Sequence, residues 1–365
     1  MRYRINHRTG THISEIGIGT ANLAGAGMAE GVKALRSALE GGINYYDLAA
    51  GDGGVFPIFG EAFHADRRKV NYQIHFGADY SKGTYGWTLN RDEVQRSIEW
   101  QLRTLRTDYI DFGFIHCQDE GSDWESYRKN GVLDYLLSMK EQGVVKHIGL
   151  SSHTPSVINT ILDTGLVDML MFSINPGYDY NHGDYANGSI GERHQVYLRC
   201  RDEGVGISVM KPFSGGQLLD AKRSPFRVAL TDFQCMRYAL DTPGVLTILP
   251  GIRSCADVER LLKYENATEE ETDYSVIRTI TPEDSAGKCV YCNHCKPCPA
   301  GLDIGLINKY YDLALLGDAL AVEHYRTLEK TAADCVSCGH CDRRCPFHVN
   351  QSARMKEIDA FMRRQ

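Results

Sequence analysis

Asn90-Arg-Asp-Glu-Val-Gln-Arg-Ser-Ile-Glu-Trp-Gln-Leu-Arg-Thr-Leu105, followed by Tyr109-Ile-Asp-Phe-Gly-Phe-Ile-His116, holds the unit from which the fold is built. Asn90 is a good helix N-cap, and Glu93 stands three residues on. Val94, Ile98, Leu102 and Leu105 recur at helical spacing, which predicts a helix with one buried face. The apolar run Tyr109 to His116 reads as a strand covered on both sides, as parallel strands are.

The same strand-and-helix rhythm extends in both directions. A short hairpin is expected around Arg8-Thr9-Gly10-Thr11. Strands are then expected at Ile16–Thr20, Ile43–Asp47, Val70–Phe76, Tyr109–His116, His147–Ser151, Val167–Ile174, Gly206–Met210 and Val245–Leu249. Helices follow near 30–39, 58–63, 90–105, 132–140, 156–162, 195–201, 233–240 and 256–264. Eight such units argue for an α/β chain folded as a closed (β/α)8 TIM barrel over residues 1–266. No glycine fingerprint of an open dinucleotide-binding sheet follows the first strand. The acidic stretch 267–273 reads as a linker. Residues 274–365 then form a small, mainly helical domain, with a helical stretch over 306–328 and a last helix over 351–364 packing back on the barrel.

That small domain carries two cysteine runs. The first is Cys289-Val-Tyr-Cys292-Asn-His-Cys295-Lys-Pro-Cys298-Pro299, and the second is Cys335-Val-Ser-Cys338-Gly-His-Cys341-Asp-Arg-Arg-Cys345-Pro346. Three thiolates two residues apart wrap one iron–sulfur cube, and a fourth before proline reaches the other cube in two-cluster ferredoxins. This predicts two [4Fe–4S] clusters in an α-helical ferredoxin-like domain. One takes Cys289, Cys292, Cys295 and Cys345; the other takes Cys335, Cys338, Cys341 and Cys298. The first run has two residues before its last cysteine where three are usual. Zinc is the competing reading, although four zinc ligands need no Cys-Pro ending. Disulfides fit poorly with a chain read as lacking a secretory signal.

Composition sets outer limits. The chain has 365 residues, 42% hydrophobic and 24% charged, with a net charge of −7. An acidic chain gives no electrostatic support to a nucleic-acid partner. No apolar run is long enough for a membrane span. A cytoplasmic protein is expected, with a small-molecule substrate and a redox partner protein as candidate partners. Cys117, Cys200, Cys235 and Cys255 read as small buried hydrophobes.

In a barrel of this kind the site lies at the C-terminal ends of the strands. Polar residues there include Asp47, His75, His116, Ser151, Ser152, His153, Asn175, Lys211 and Arg253, with Asp52 in the loop after the second strand. Two aromatic groups, Tyr80, Tyr85 and Trp87 after the third strand and Tyr178, Tyr180, His182 and Tyr185 after the sixth, read as pocket walls or as packing for the small domain.

Gly41-Gly-Ile-Asn-Tyr-Tyr-Asp47, Thr107-Asp-Tyr-Ile-Asp111 with Ile115-His116, Lys146-His-Ile-Gly-Leu-Ser151-Ser-His153, Gly206-Ile-Ser-Val with Pro212, and Leu249-Pro-Gly-Ile-Arg253-Ser254 together resemble the aldo-keto reductases, in a branch that carries a C-terminal ferredoxin module. The resemblance implies carbonyl chemistry by an aspartate, a tyrosine, a lysine and a histidine, with a nicotinamide cofactor. Asp47 and His116 match the aspartate and histidine. Asp52 stands at the tyrosine's place and His75 at the lysine's. The resemblance also implies that NADP(H) could be held by Ser151, Ser152, Asn175, Pro212, Gly215, Gly251, Arg253 and Ser254. Asp257 and Arg260 depart from its pattern.

A tyrosine beside a lysine ammonium is an activated proton donor. An ionised Asp52 would instead oppose an alkoxide developing at that place. The expectation is therefore that Asp47, Asp52, His75 and His116 converge as an altered acid–base set, in an iron–sulfur oxidoreductase acting on a small organic substrate. Two alternatives stand beside it. One is an NADP-dependent carbonyl reductase with structural clusters. The other is a non-redox lyase or dehydratase using the same acid–base set.

Overall fold

The computed structural model describes residues 1–20, 22–181, 187–279, 287, 289, 291, 295–315, 317–345 and 348–365. Cys292, His182 and Tyr185 lie outside the described residues. The N-terminal hairpin pairs β1 (Tyr3–Ile5) with β2 (His12–Ser14) in antiparallel register. Eight parallel strands then build the barrel. They are β3 (Ile18–Gly19), β4 (Tyr45–Asp47), β5 (Asn71–Phe76), β8 (Ile110–Ile115), β9 (Val145–Ser151), β10 (Met169–Ser173), β11 (Gly206–Met210) and β12 (Val245–Leu249). Between β5 and β8 the chain adds a two-stranded antiparallel ribbon, β6 (Ala78–Asp79) with β7 (Gly86–Trp87).

The sheet order runs β12-β11-β10-β9-β8-β5-β4-β3. Parallel bridges Ile16↔Ile248 and Gly19↔Gly251 join its first and last strands, with Gly17 N–H donating to the Ile248 carbonyl at 2.8 Å. Tyr45, Phe112, Phe114, Met169, Met171, Met210 and Leu249 make one buried cluster. The two-residue spacing within Phe112/Phe114 and Met169/Met171 sends both members of each pair to the same sheet face.

The helix Arg91–Leu105 forms where its sequence requires. Asn90 Oδ1 accepts from the N–H groups of Asp92 and Glu93, and Val94, Ile98 and Leu105 are buried. The helix Gly121–Lys129 was not legible in the sequence; its buried residues are only Trp124 and Tyr127.

A charged cluster closes the far end of β8. Asp111 takes Arg67 Nη2 at 2.7 Å on one oxygen and Lys146 Nζ at 3.0 Å on the other. Arg67 lies 4.0 Å from the ring centres of both Tyr72 and Tyr109. Arg67 is 6% exposed and Asp111 4%. Removing one partner of such a pair strands a buried charge. Asp111→Ala is expected to cost about 3–5 kcal/mol, measured by chemical denaturation. Arg67→Met on top of it should recover part of the loss; a single variant as stable as wild type would refute this account.

Two compact units divide the chain. The first holds residues 1–173, 192–212 and 239–268; the second holds 174–191, 213–238 and 269–365. The first unit thus ends near the expected linker, but the loops after β10 and β11 group with the C-terminal segment. Within the second unit, Leu218, Phe226, Leu230 and Cys235 share an apolar core with Ile277, and Tyr178 joins the core of the C-terminal helices. The expected helical stretch over 306–328 is two helices, Ile304–Ala314 and Ala319–Arg326. Asp318 caps the second, its side chain accepting from the N–H groups of Leu320 and Ala321. The last helix, Gln351–Met362, buries Met355 and Ile358 in this unit's own core, where the sequence reading had it packing on the barrel. Among the described residues no helix is long and apolar enough to cross a membrane.

Candidate active site and cluster-binding domain

Three neighbouring strands bring Asp47, His75 and His116 together. Asp47 ends β4, His75 is the fifth residue of β5, and His116 directly follows β8. His75 Nε2 lies 2.8 Å from Asp47 Oδ1. Its other nitrogen, Nδ1, lies 2.9 Å from Nδ1 of His116. His116 Nε2 is 2.7 Å from the hydroxyl of Tyr85. The result is one hydrogen-bonded chain, Asp47–His75–His116–Tyr85, whose members are all at most 5% exposed.

Gln73 orients the inner end. Its Oε1 accepts from Tyr45 Oη at 2.8 Å and Ser208 Oγ at 3.0 Å, so its Nε2 faces Asp47 Oδ1 at 3.1 Å. Burial first, then the charge of Asp47, pushes the Tyr45 phenol well above its ordinary range, which keeps it a donor. Assigning the His75 proton to Nε2, so that Gln73 and His75 both donate to the carboxylate, gives each link a consistent direction. Tyr85 O–H donates to His116 Nε2, His116 Nδ1–H to His75 Nδ1, and His75 Nε2–H to Asp47. Gln73 was not singled out in the sequence. The signal was present, because it stands two residues before His75 on one strand and therefore on the same face.

Asp52 does not join this chain. It is exposed, and its Oδ1 accepts the N–H of Gly54 at 2.6 Å. Its segment instead holds the next loop by backbone pairing. Asp52 bridges Thr84, Gly53 N–H donates to the Gly83 carbonyl at 2.8 Å, and Tyr85 N–H donates to the Gly51 carbonyl at 3.3 Å. Tyr80 adds side-chain bonds, accepting from Ala50 N–H at 2.9 Å and donating to the Ala50 carbonyl at 3.1 Å. These ties deliver the Tyr85 hydroxyl to His116. Gly77 permits the close start of that loop: it has φ +136°, and a Cβ there would stand 3.0 Å from that of His116. Tyr85, read as a pocket wall or as packing for the small domain, is the residue that a sequence argument confined to strand ends missed.

The expected nucleotide residues are scattered in environment. Ser151 is buried at the end of β9, and Ser152 Oγ donates to Asp119 Oδ1 at 3.4 Å. Pro212 is buried beyond β11. Asn175 and Gly215 belong to the second unit, where Asn175 Oδ1 accepts from Tyr178 N–H at 3.0 Å and Gly215 is exposed. Gly251 is exposed and pairs with Gly19. Arg253 has a side chain 76% exposed, 3.8 Å from Asp257. Ser254 caps the helix Cys255–Leu262. Around that cap, Asp257 Oδ2 accepts from Arg253 N–H and Glu30 Oε1 from Cys255 N–H, both at 2.8 Å. A helix N-terminus attracts anions, and here the protein's own carboxylates already take the N–H of Cys255, its first residue, and that of Arg253 just ahead of the cap.

In the second unit the cysteine runs share a local geometry. Tyr291 and Ser337, each the third residue of a Cys-x-x-Cys, both have left-handed backbones, with φ 59° and 52°. Ser337 N–H donates to Cys335 Sγ and Val349 N–H to Cys345 Sγ, both at 3.4 Å. Hydrogen bonds of this kind stabilise cluster thiolates. Val349 packs against both Cys289 and Cys345. Cys295, Cys298, Cys335 and Cys341 border one apolar core, and Cys338 is exposed. A residue touching both a first-run cysteine and the last cysteine of the second run is what crossed ligation needs. The thiol donors described in the two runs, Cys289, Cys295, Cys298, Cys335, Cys338, Cys341 and Cys345, fit the chemistry of [4Fe–4S] clusters.

The comparisons agree with these two parts. Residues 15–232 match the aldo/keto reductase family, and residues 285–349 match the 4Fe-4S dicluster domain. The chain is similar to the uncharacterized oxidoreductase YqkF of Bacillus subtilis (strain 168), 25% identical over 300 residues, which covers 74% of this chain and 94% of that protein. It is also similar to L-galactose dehydrogenase of Arabidopsis thaliana, 21% identical over 281 residues, 69% of this chain and 84% of that protein. Among solved structures, the holo form of an aldo-keto reductase from Bacillus halodurans superposes with a TM-score of 0.62 at 20% identity, covering 77% of this chain and 97% of that one. An aldo-keto reductase from Klebsiella pneumoniae in complex with NADPH gives 0.55 at 17%, covering 77% and 96%. The strand order, the strand-end residues and the match over most of the barrel together make this chain a member of the aldo/keto reductase family, an oxidoreductase joined to a 4Fe-4S dicluster domain.

Proposed function

We propose that the barrel interconverts a carbonyl and an alcohol on a small organic molecule, moving protons along Asp47–His75–His116–Tyr85 and electrons through the clusters. The observation that carries this reading is the unbroken buried chain ending on a phenol hydroxyl. Reducing a carbonyl to an alcohol takes two electrons and two protons. When bound, two [4Fe–4S] clusters supply one-electron carriage, one electron each.

The chain's own residues govern the proton on oxygen, and the second proton, the one on carbon, is exchanged with solvent. In the neutral arrangement every hydrogen points inward, so the Tyr85 oxygen accepts a proton from a substrate alcohol while its own proton passes to His116. With one more proton, the His116 imidazolium donates to the Tyr85 oxygen, and Tyr85 O–H is released toward a substrate oxygen. Burial keeps the proton from exchanging with solvent along the way.

Clusters are favoured over NADP(H) as the electron entry because Asp257 and Glu30 already take the N–H groups of Arg253 and Cys255, in the segment that the family resemblance assigns to the nucleotide. The test is anaerobic. Dithionite-reduced holoprotein, freed of excess reductant, is mixed with a panel of small aldehydes and ketones, and oxidised holoprotein with the matching alcohols. Cluster reoxidation with formation of alcohol is expected for at least one member. NADPH-dependent turnover that persists unchanged after cluster removal would replace this reading with an ordinary reductase, and no response in either direction would remove it.

A further inference from the structure

The loop after β8 and the residues after β9 bring together three side chains that the proton chain does not use. They are Cys117, Asp119 and His153, whose ligand atoms all lie within 4.8 Å of one another. His153 Nδ1 is 2.8 Å from Asp119 Oδ2, and Cys117 Sγ is 3.7 Å from the same oxygen. Cys117 and His153 are buried and Asp119 is half-buried. The geometry points to a mononuclear site for a divalent transition ion, zinc by its ligand set, held by Cys117, Asp119 and His153.

Zinc takes thiolate at about 2.3 Å and nitrogen or oxygen at about 2.0–2.2 Å, which sets tetrahedral donor atoms about 3.3–3.7 Å apart. The three atoms need shifts of the order of 1 Å or less to meet that spacing. The carboxylate is already aimed. Its Oδ1 is taken by His153 N–H at 2.6 Å and Ser152 Oγ at 3.4 Å, which leaves Oδ2 toward the thiol and imidazole. Such outer partners orient a metal's ligands. Gln118, between two of the ligands, is locked as well: its Nε2 donates to the His116 carbonyl at 2.7 Å and its N–H to the Ser151 carbonyl at 3.0 Å.

Three protein ligands leave a fourth position open, as in catalytic rather than structural zinc sites. The ligand class is an oxygen donor: water, a carbonyl, an alkoxide or a carboxylate, polarised by the ion. Cys117 directly follows His116, so the open position belongs to the same end of the barrel as the proton chain. Binding replaces the thiol proton, which is released to solvent. The simpler alternative is three side chains sharing hydrogen bonds and holding no ion.

Metal binding needs no substrate, so its test is independent of the proposed reaction. Anaerobic holoprotein with both clusters in place is equilibrated with zinc(II) and dialysed into metal-free buffer. About one zinc per chain is expected beside about eight iron. Zinc X-ray absorption should show one sulfur at about 2.3 Å with nitrogen and oxygen at about 2.0–2.2 Å. Cys117→Ser and His153→Ala should each weaken zinc binding by at least about a hundredfold with iron unchanged, and Ser152→Ala by about tenfold. Cys255→Ser, a buried cysteine elsewhere, should leave it unchanged. No retained zinc, or zinc surrounded by three or four sulfurs as in a cysteine run, would overturn the site. Should the ligand variants fail to fold, the absorption spectrum of the wild-type protein decides alone.

Discussion

Tyr85→Phe is expected to lower turnover of the carbonyl substrate by at least about a hundredfold, the usual scale for losing a general acid or base. The substitution keeps the ring and removes only the hydroxyl that stands 2.7 Å from His116 Nε2. Substrate affinity should change far less than kcat, because the lost interaction is a proton transfer. His75→Ala should cost a similar factor by cutting the link between His116 and Asp47. The double variant should be little worse than either single one, since residues acting as one unit are strongly non-additive. Asp52→Ala should stay close to the wild-type rate, because Asp52 is exposed and bonded to Gly54. A substrate-free readout accompanies these rates: the imidazole nitrogen resonances of His116 should shift in Tyr85→Phe. Wild-type turnover in Tyr85→Phe, or a large loss in Asp52→Ala, would show that the proton leaves by another route.

Cys345→Ala is expected to remove one cluster while sparing the other, so that iron falls from about eight to about four per chain. The lost cluster should be the one bound by the first run, although Cys345 lies in the second. The reason is local packing, because Val349 touches both Cys289 and Cys345. Cys298→Ala should do the converse. Electron paramagnetic resonance of the reduced protein, combined with iron and sulfide analysis, separates the two centres. If Cys345→Ala instead strips the cluster held by Cys335 and Cys341, each run binds its own cube and the crossed pairing fails. Either single-cluster variant should also lose cluster-driven turnover, because a single one-electron carrier cannot hold both electrons of a carbonyl reduction.

Much of the fold was legible because its signals are local. Asn90 with Val94, Ile98 and Leu105 marks a helix through capping and spacing alone, and Met169–Ser173 marks a strand through the unbroken apolar run Met169-Leu-Met-Phe172. The cysteine runs are legible for the same reason, since ligand spacing along a chain is a local property. Asp47, His75 and His116 could be placed near one another because each lies at or next to the C-terminal end of a barrel strand.

Tyr85 and Asp52 show where that reasoning stops. By sequence offset Asp52 occupies the expected donor position, yet a loop residue's direction is set by what its backbone pairs with. Gly51 to Gly53 pair with Gly83 to Tyr85, which leaves Asp52 exposed and brings a phenol from the following loop to His116. The grouping of the loops after β10 and β11 with the C-terminal segment was likewise hidden, since it depends on Leu218, Phe226 and Ile277 meeting across long sequence separations. Local periodicity and ligand spacing determined that this chain is a barrel with a cluster domain. Only the tertiary structure decided which hydroxyl ends the buried hydrogen-bonded chain, because loop-to-loop backbone hydrogen bonds leave no periodic trace in sequence.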